Sequence, residues 1–234
     1  MKQIIYLLAF TLGSLLFLNC SVQKNSVQKK KTNSSYSYLA LGDSYTIGES
    51  VCDTCRFPEQ LKDKISSNFN KKIDLKIIAT TGWTTRDLLN GISKENLINN
   101  YDLVTLLIGV NNQYQGKDFS VYENEFPILL DKAIEFANGN KERVVVVSIP
   151  DYAFTPFGQT KESPDKISEE IDNYNAFAKK IANQKGVAFE NITPITRNGL
   201  KDKSLVASDG LHPSKVAYKK FVDQLLTKVS EILN

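Results

Sequence analysis

Two short stretches, far apart in the chain, carry the residue types that covalent chemistry needs. Gly42-Asp43-Ser44-Tyr45-Thr46 places a hydroxyl directly after the apolar run Tyr38-Leu39-Ala40-Leu41, and Asp209-Gly210-Leu211-His212-Pro213 carries the only histidine of the 234 residues. A serine hydroxyl is a poor nucleophile until a base accepts its proton, and histidine is the side chain best suited to that near neutral pH. The imidazole in turn needs its second nitrogen held by an acceptor, which fixes the tautomer and stabilises the imidazolium. Asp209, three residues before His212 across a glycine-containing turn, is in place to fold back for that. The oxyanion that develops on an attacked carbonyl needs donors already aimed at it, each worth about 2.7–4 kcal/mol where such donors have been removed. The backbone N–H groups of Ser44 and Gly82 and the side-chain amide of Asn111 are the candidates. Each residue also has a structural reading on its own: Ser44 as a helix N-cap, His212 as a capping or packing group before Pro213. The chemical reading uses all of them at once and is preferred, whereas Asp43 is read as stabilising its turn.

These residues need a scaffold that brings them together. An apolar run that breaks at a glycine into a polar loop reads as a strand feeding a turn. Tyr36–Leu41 is the first such strand, and Phe57–Phe69 follows as a helix with Leu61, Ile65 and Phe69 at a four-residue spacing. The pattern then predicts strand Ile73–Ala79, helix Thr84–Ile98, strand Leu103–Ile108 and a helix from about Val121 to Ala137, with Pro127 within its first two turns. Strand Arg143–Ile149, helix Ile167–Ala182 stopped by Gly186, strand Val187–Ile192 and an amphipathic helix Ser214–Leu233 complete the chain. Five strands alternating with helices require right-handed crossovers, hence an α/β fold of three layers with a parallel sheet covered on both faces. In such a sheet ligands bind beyond the strands' C-terminal ends. Those ends deliver Gly42-Asp43-Ser44, Thr80-Thr81-Gly82-Trp83 and Gly109-Val110-Asn111-Asn112, and the loop before the last helix delivers Asp209 and His212. Trp83, Tyr152, Phe154 and Phe157 fall on the same edge, either lining an acyl pocket or covering the core.

The first residues read as an address rather than as fold. Lys2 precedes an apolar stretch of about fifteen residues, Ile4 to Leu18, too short to span a membrane comfortably. It ends at Phe17-Leu18-Asn19-Cys20, which resembles the lipobox of bacterial lipoprotein signals, with Asn19 where a smaller residue is usual. The preferred organisation is a signal peptide over 1–19, Cys20 as the lipidated new N-terminus, a polar lysine-rich tether over 20–35 and one catalytic domain over 36–234. An ordinary cleaved signal peptide is the alternative. Either way the protein is exported, to the cell envelope or the medium. The remaining Cys52 and Cys55 then form an even pair in an oxidising compartment, read as a structural disulfide in preference to a redox dithiol. With one histidine already claimed, these cysteines make no metal set, and no cofactor is expected. The formal charge of +3 comes from Lys2, Lys24, Lys29, Lys30 and Lys31, which all precede the first acidic residue; without those five the remainder carries −2. That is no nucleic-acid footprint.

From about Tyr36 to the C-terminus the order and spacing of four blocks resemble the SGNH hydrolases, also called GDSL-type esterases and lipases. Gly42-Asp43-Ser44-Tyr45 is similar to the first block, with Tyr45 where leucine often stands, and Gly82 is placed like the second. Gly109-Val110-Asn111-Asn112 is similar to the third, with Asn112 where many members have aspartate, and Asp209-Gly210-Leu211-His212-Pro213 to the last. The resemblance implies a flavodoxin-like five-stranded sheet and hydrolysis of carboxylic esters through an acyl-enzyme. Ser44 would be the nucleophile, His212 the base and Asp209 its orienter, with Ser44, Gly82 and Asn111 forming the oxyanion hole. Small acyl esters on carbohydrate and longer acyl chains on lipids are both compatible substrates. The rival reading is a surface lipoprotein that keeps the scaffold and only binds glycan or lipid.

Overall fold

The computed structural model describes residues 35–234. The expected leader and Cys20 lie outside the described residues, as does the expected tether apart from Ser35, which opens the first strand. In chain order the regular elements are β1 (Ser35–Gly42), α1 (Ser44–Ile47), α2 (Phe57–Phe69), β2 (Lys72–Ala79), α3 (Thr85–Ser93), β3 (Leu103–Leu107), α4 (Val110–Tyr114) and α5 (Phe119–Phe136). They continue with β4 (Val144–Val147), α6 (Pro164–Lys185), β5 (Ala188–Glu190), α7 (Thr193–Thr196) and α8 (Lys215–Leu233).

The strands pair in parallel in the order β2-β1-β3-β4-β5. This is the doubly wound, flavodoxin-like order, whose direction of winding reverses between β1 and β3 and opens a crevice beyond their C-terminal ends. The register sets Gly42 of β1 against Leu107 of β3, so the chain leaves both strands at one level and delivers Ser44 and the 109–112 loop side by side. Helices α2 and α8 pack together over one face of the sheet, and α3, α5 and α6 over the other. All five residues of β3 and all four of β4 are buried, as expected of strands covered on both faces. Among the described residues no helix is long and apolar enough to cross a membrane.

The structure differs from the sequence pattern in several places: β5 keeps only three of the six expected residues, and α6 runs three residues further at each end. The helix expected over Thr84–Ile98 stops at Ser93, because after Ile92 the apolar face ends and Ile98 is 58% exposed. Helix α5 begins earlier than expected, so Pro127 lies in its interior rather than in its first two turns. The one-turn helices α1 and α4 were not foreseen, being too short to show a period. At the other termini, Ser214 caps α8 by accepting the N–H groups of Val216 and Ala217, and Gly186 follows the last residue of α6.

Candidate active site

The turn that carries Ser44 follows from two of its neighbours. A Cβ built on Gly42 would lie 2.1 Å from Thr46 Oγ1 and 2.4 Å from the Leu107 carbonyl oxygen, so only glycine lets the chain double back this tightly beside β3. Asp43 then caps α1, its Oδ1 accepting the Tyr45 N–H at 3.0 Å. The cap is therefore Asp43, as its turn-stabilising reading required, and Ser44 stands one place later as the first helical residue. The first amides of a helix have no partner within it, so the Ser44 N–H is left out of the helical ladder. Burial pushes the Asp43 carboxyl up to about 7 despite the Tyr45 hydrogen bond, and its Oδ2 has no partner.

The last loop builds a carboxylate with four donors. Asp209 Oδ1 accepts the N–H groups of Leu211 at 2.9 Å and His212 at 3.0 Å. Its Oδ2 faces His212 Nδ1 at 2.6 Å and accepts the Ser50 hydroxyl at 2.7 Å. Partial burial pushes this carboxyl up, but the donors outweigh it and hold it at about 2. The carboxylate fixes Nδ1 as the protonated nitrogen and leaves Nε2 as the one available to the cavity. The ring is buried against the edge of Tyr45, with centroids 5.8 Å apart.

The second and third loops grip one another. Asn111 Nδ2 donates to the Trp83 carbonyl at 2.9 Å, which leaves the second N–H of the same amide free of that contact. Gln115 Nε2 donates to the Gly82 carbonyl at 3.0 Å. Gly82 sits at φ +85°, in the left-handed region, and no protein atom comes within 4 Å of a Cβ placed on it.

Ser44, Gly82, Asn111, Tyr152 and His212 all border one cavity of about 190 Å³, together with Tyr45, Thr81, Val110, Tyr114 and Leu211. Ser44 and His212 share it without a hydrogen bond between them; contacts of this kind commonly tighten only around a substrate. Two aromatics expected at the pocket are placed elsewhere. The indole of Trp83 lies over Gly91, where a Cβ would be 2.3 Å from the ring, because Thr84 caps α3 and turns the chain onto that helix. Phe154 sits beneath the Arg197 guanidinium, 6.0 Å from it, since the tight turn Tyr152–Phe154 sends successive side chains in different directions. Phe157 packs 6.2 Å from Tyr114, which borders the cavity one helical turn beyond Asn111. The sequence pattern marks neither Tyr114 nor Ser50, the first because α4 is too short to show a period. Nothing local marks Ser50 as a partner of a residue so far along the chain. Cys52 and Cys55 are joined as a disulfide, with Cα atoms 5.0 Å apart, at a short turn in the loop between α1 and α2.

The sequence profile of the GDSL-like lipase/acylhydrolase family matches residues 40–220. Comparison with curated proteins returns no match. Among solved structures, an acetylxylan esterase from Geobacillus stearothermophilus is similar with a TM-score of 0.62 at 18% identity, covering 83% of this chain and 94% of that one. A lipase/acylhydrolase from Enterococcus faecalis aligns with a TM-score of 0.62 at 19% identity over 85% of this chain and 95% of that one. A lipolytic protein of the G-D-S-L family from Veillonella parvula aligns with a TM-score of 0.63 at 17% identity, over 82% and 97% respectively. At these identities the likeness speaks to the fold.

Proposed function

The chain belongs to the family of GDSL-like lipases and acylhydrolases and is a carboxylic ester hydrolase, and on that premise we propose that it cleaves esters of short acids through a covalent acyl-enzyme on Ser44. The observation that carries the reading is the 2.6 Å contact between Asp209 Oδ2 and His212 Nδ1 at the rim of the small cavity that Ser44 also lines. In the first half-reaction Ser44 Oγ bonds to the ester carbonyl carbon while His212 Nε2 takes the hydroxyl proton. The carbonyl oxygen becomes an oxyanion held by the N–H groups of Ser44 and Gly82 and by the Asn111 amide. The C–O bond to the alcohol then breaks, and the proton on Nε2 passes to the departing oxygen. In the second half-reaction water gives its proton to the same nitrogen, attacks the acyl carbon and releases the acid, returning the proton to Ser44. Asp209 stays ionised throughout, consistent with a carboxyl held at about 2.

Cavity size supports a short acyl group. A volume of about 190 Å³ is below the ~300–1,000 Å³ typical of sites that enclose a whole drug-sized ligand. An acetyl group fits inside, with the alcohol part lying outward along Tyr114, which is 49% exposed. Acetyl groups on carbohydrate are the substrate class this favours, and the acetylxylan esterase among the similar structures acts on such a group. The decisive experiment compares Ser44→Ala with the unaltered protein on p-nitrophenyl acetate. Activity is expected to vanish with thermal stability retained, and a fluorophosphonate probe is expected to label only the unaltered protein. Full activity in the variant removes the reading. A series from acetyl to octanoyl tests the acyl part, with kcat/KM expected to fall as the chain lengthens. Export with a lipid anchor on Cys20 belongs to the same proposal; Cys20→Ser is expected to release the protein from membranes.

A further inference from the structure

Ser50 is an exposed residue in the loop between α1 and α2, and it occupies a conformation that L-residues avoid, with φ at +64°. Glycine or asparagine is the usual occupant of that region, so a serine there calls for a compensating interaction. Its hydroxyl supplies one by crossing to the last loop and donating to Asp209 Oδ2 at 2.7 Å. This is the same oxygen that holds His212 Nδ1 at 2.6 Å.

We propose that Ser50 is a positioning residue for ester hydrolysis: it fixes the plane of the Asp209 carboxylate and thereby the ring of His212. The inference rests on the acyl-enzyme reading, because it assigns Ser50 a role only through the base. A carboxylate turns freely about its Cβ–Cγ bond unless both oxygens are held. The amides of Leu211 and His212 hold Oδ1, but they belong to the same turn as Asp209 and move with it. The Ser50 hydroxyl is the donor to this carboxylate that comes from a separate part of the fold. Ser50 also follows the nucleophile turn by only a few residues, so the bond ties the mounting of the base to the segment that presents Ser44.

The loop is braced to hold that hydroxyl in place. Glu49 Oε2 accepts the Thr81 hydroxyl at 2.5 Å, across the cavity rim on the Gly82 side. Arg56 Nη1 donates to the Ile47 carbonyl at 3.2 Å, and the Cys52–Cys55 disulfide closes the turn between Ser50 and α2. The loop thus reaches Asp209 through Ser50 and the oxyanion loop through Glu49.

The conformation of Ser50 makes function and folding separable by experiment. Ser50→Gly deletes the hydroxyl and relieves the strained φ, so it is expected to melt no lower than the unaltered protein. Its kcat on p-nitrophenyl acetate is expected to fall roughly tenfold with KM little changed, the scale of one hydrogen bond to a charged group. Ser50→Ala, which keeps the strained φ, is expected to lose a similar factor. Because His212 is the only histidine, its Nδ1 proton gives a single assignable downfield resonance, expected to shift in both variants. Wild-type kcat in Ser50→Gly overturns the proposal. So does a fall in kcat/KM that comes through KM alone with the resonance unmoved, since the loop would then only shape the cavity. Ser44→Ala run in parallel separates the two levels: an inactive Ser44 variant beside a fully active Ser50→Gly removes the Ser50 role and leaves the acyl-enzyme reading intact.

Discussion

Asn112 and Thr85 are joined by a reciprocal pair of hydrogen bonds: Asn112 Oδ1 accepts the Thr85 N–H at 3.0 Å, and Asn112 Nδ2 donates to Thr85 Oγ1 at 2.8 Å. The Thr85 hydroxyl, its oxygen thus engaged as acceptor, spends its own proton on Glu125 Oε2 at 2.5 Å, and Glu125 Oε1 meets Arg86 Nη2 at 2.6 Å. The amide at 112 therefore sets the polarity of a chain running from the third loop into α3 and α5. Asn112→Asp keeps the contact to the Thr85 N–H but sets a second carboxylate against a hydroxyl with one proton. We expect a loss of about 1–3 kcal/mol in chemical denaturation near neutral pH. An Asn112→Asp protein as stable as the original would show that the amide has no such role.

Gly82 carries a second expectation, because its two constraints separate stability from activity. Alanine there costs about 1–2 kcal/mol for a left-handed φ of +85°. Its methyl meets no protein atom within 4 Å, so the packing is undisturbed. If Gly82 donates to the oxyanion as proposed, that methyl stands beside the donating N–H and crowds the substrate oxygen. A fall in kcat of about a hundredfold is expected on short acyl esters, on the scale of one lost oxyanion donor. A loss of activity no larger than the loss of stability explains would argue against Gly82 as a donor.

Much of this arrangement is legible from the chain, and the parts that are not share a physical cause. Strand β3 is an apolar run broken only by Thr105, and α2 repeats Leu61 and Ile65 on one face; each signal is strong enough to place its element. Glycine-bearing breaks after β1, β2 and β3 mark where loops gather, and Ser44, Gly82 and Asn111 on those loops border one cavity. A side chain's direction within a turn has no period. Trp83 and Phe154 therefore fall on the expected edge yet face Gly91 and Arg197 instead of the cavity, while Tyr114 reaches it from an unforeseen turn of helix. The bond between Ser50 and Asp209 joins two loops with nothing periodic in either, so only the assembled fold reveals it.

The mounting of Tyr152 depends on a buried carboxylate paired with a partly exposed arginine. Asp151 is wholly buried; its Oδ1 accepts the Ala153 N–H at 3.0 Å, forming the turn that carries Tyr152 to the cavity. Its Oδ2 accepts Arg197 Nε at 2.9 Å and the Ser168 hydroxyl at 2.6 Å. Arg197→Ala leaves a buried carboxylate with neutral donors alone, for which a loss of about 3 kcal/mol is expected. Pairing it with Asp151→Asn should recover part of that loss, since the uncompensated charge is then gone. A double variant no more stable than Arg197→Ala would mean that the arginine acts through its packing on Phe154.

Asp43 and Asp209 should shape the pH dependence of stability in opposite senses. Asp43 has its carboxyl raised by burial from 3.8 to about 7, so between those values the folded chain keeps a proton that the unfolded chain has released. Folding then takes up a proton, and stability falls as pH rises from about 4 to about 7, levelling off above. Asp209 is held at about 2, so its contribution is present above about 4 and is lost as pH falls from there towards 2. That carboxylate is 29% exposed, and solvent screens its share, so the Asp43 limb should dominate. Asn at position 43 retains an oxygen for the Tyr45 N–H and has no proton to exchange. Melting temperatures of Asp43→Asn should therefore lose the decline between pH 4 and 7, whereas Asp209→Asn should alter the curve only below about pH 4. A decline of undiminished slope in Asp43→Asn would assign it to other groups and leave the buried carboxyl beside Ser44 ionised in the folded protein across that range.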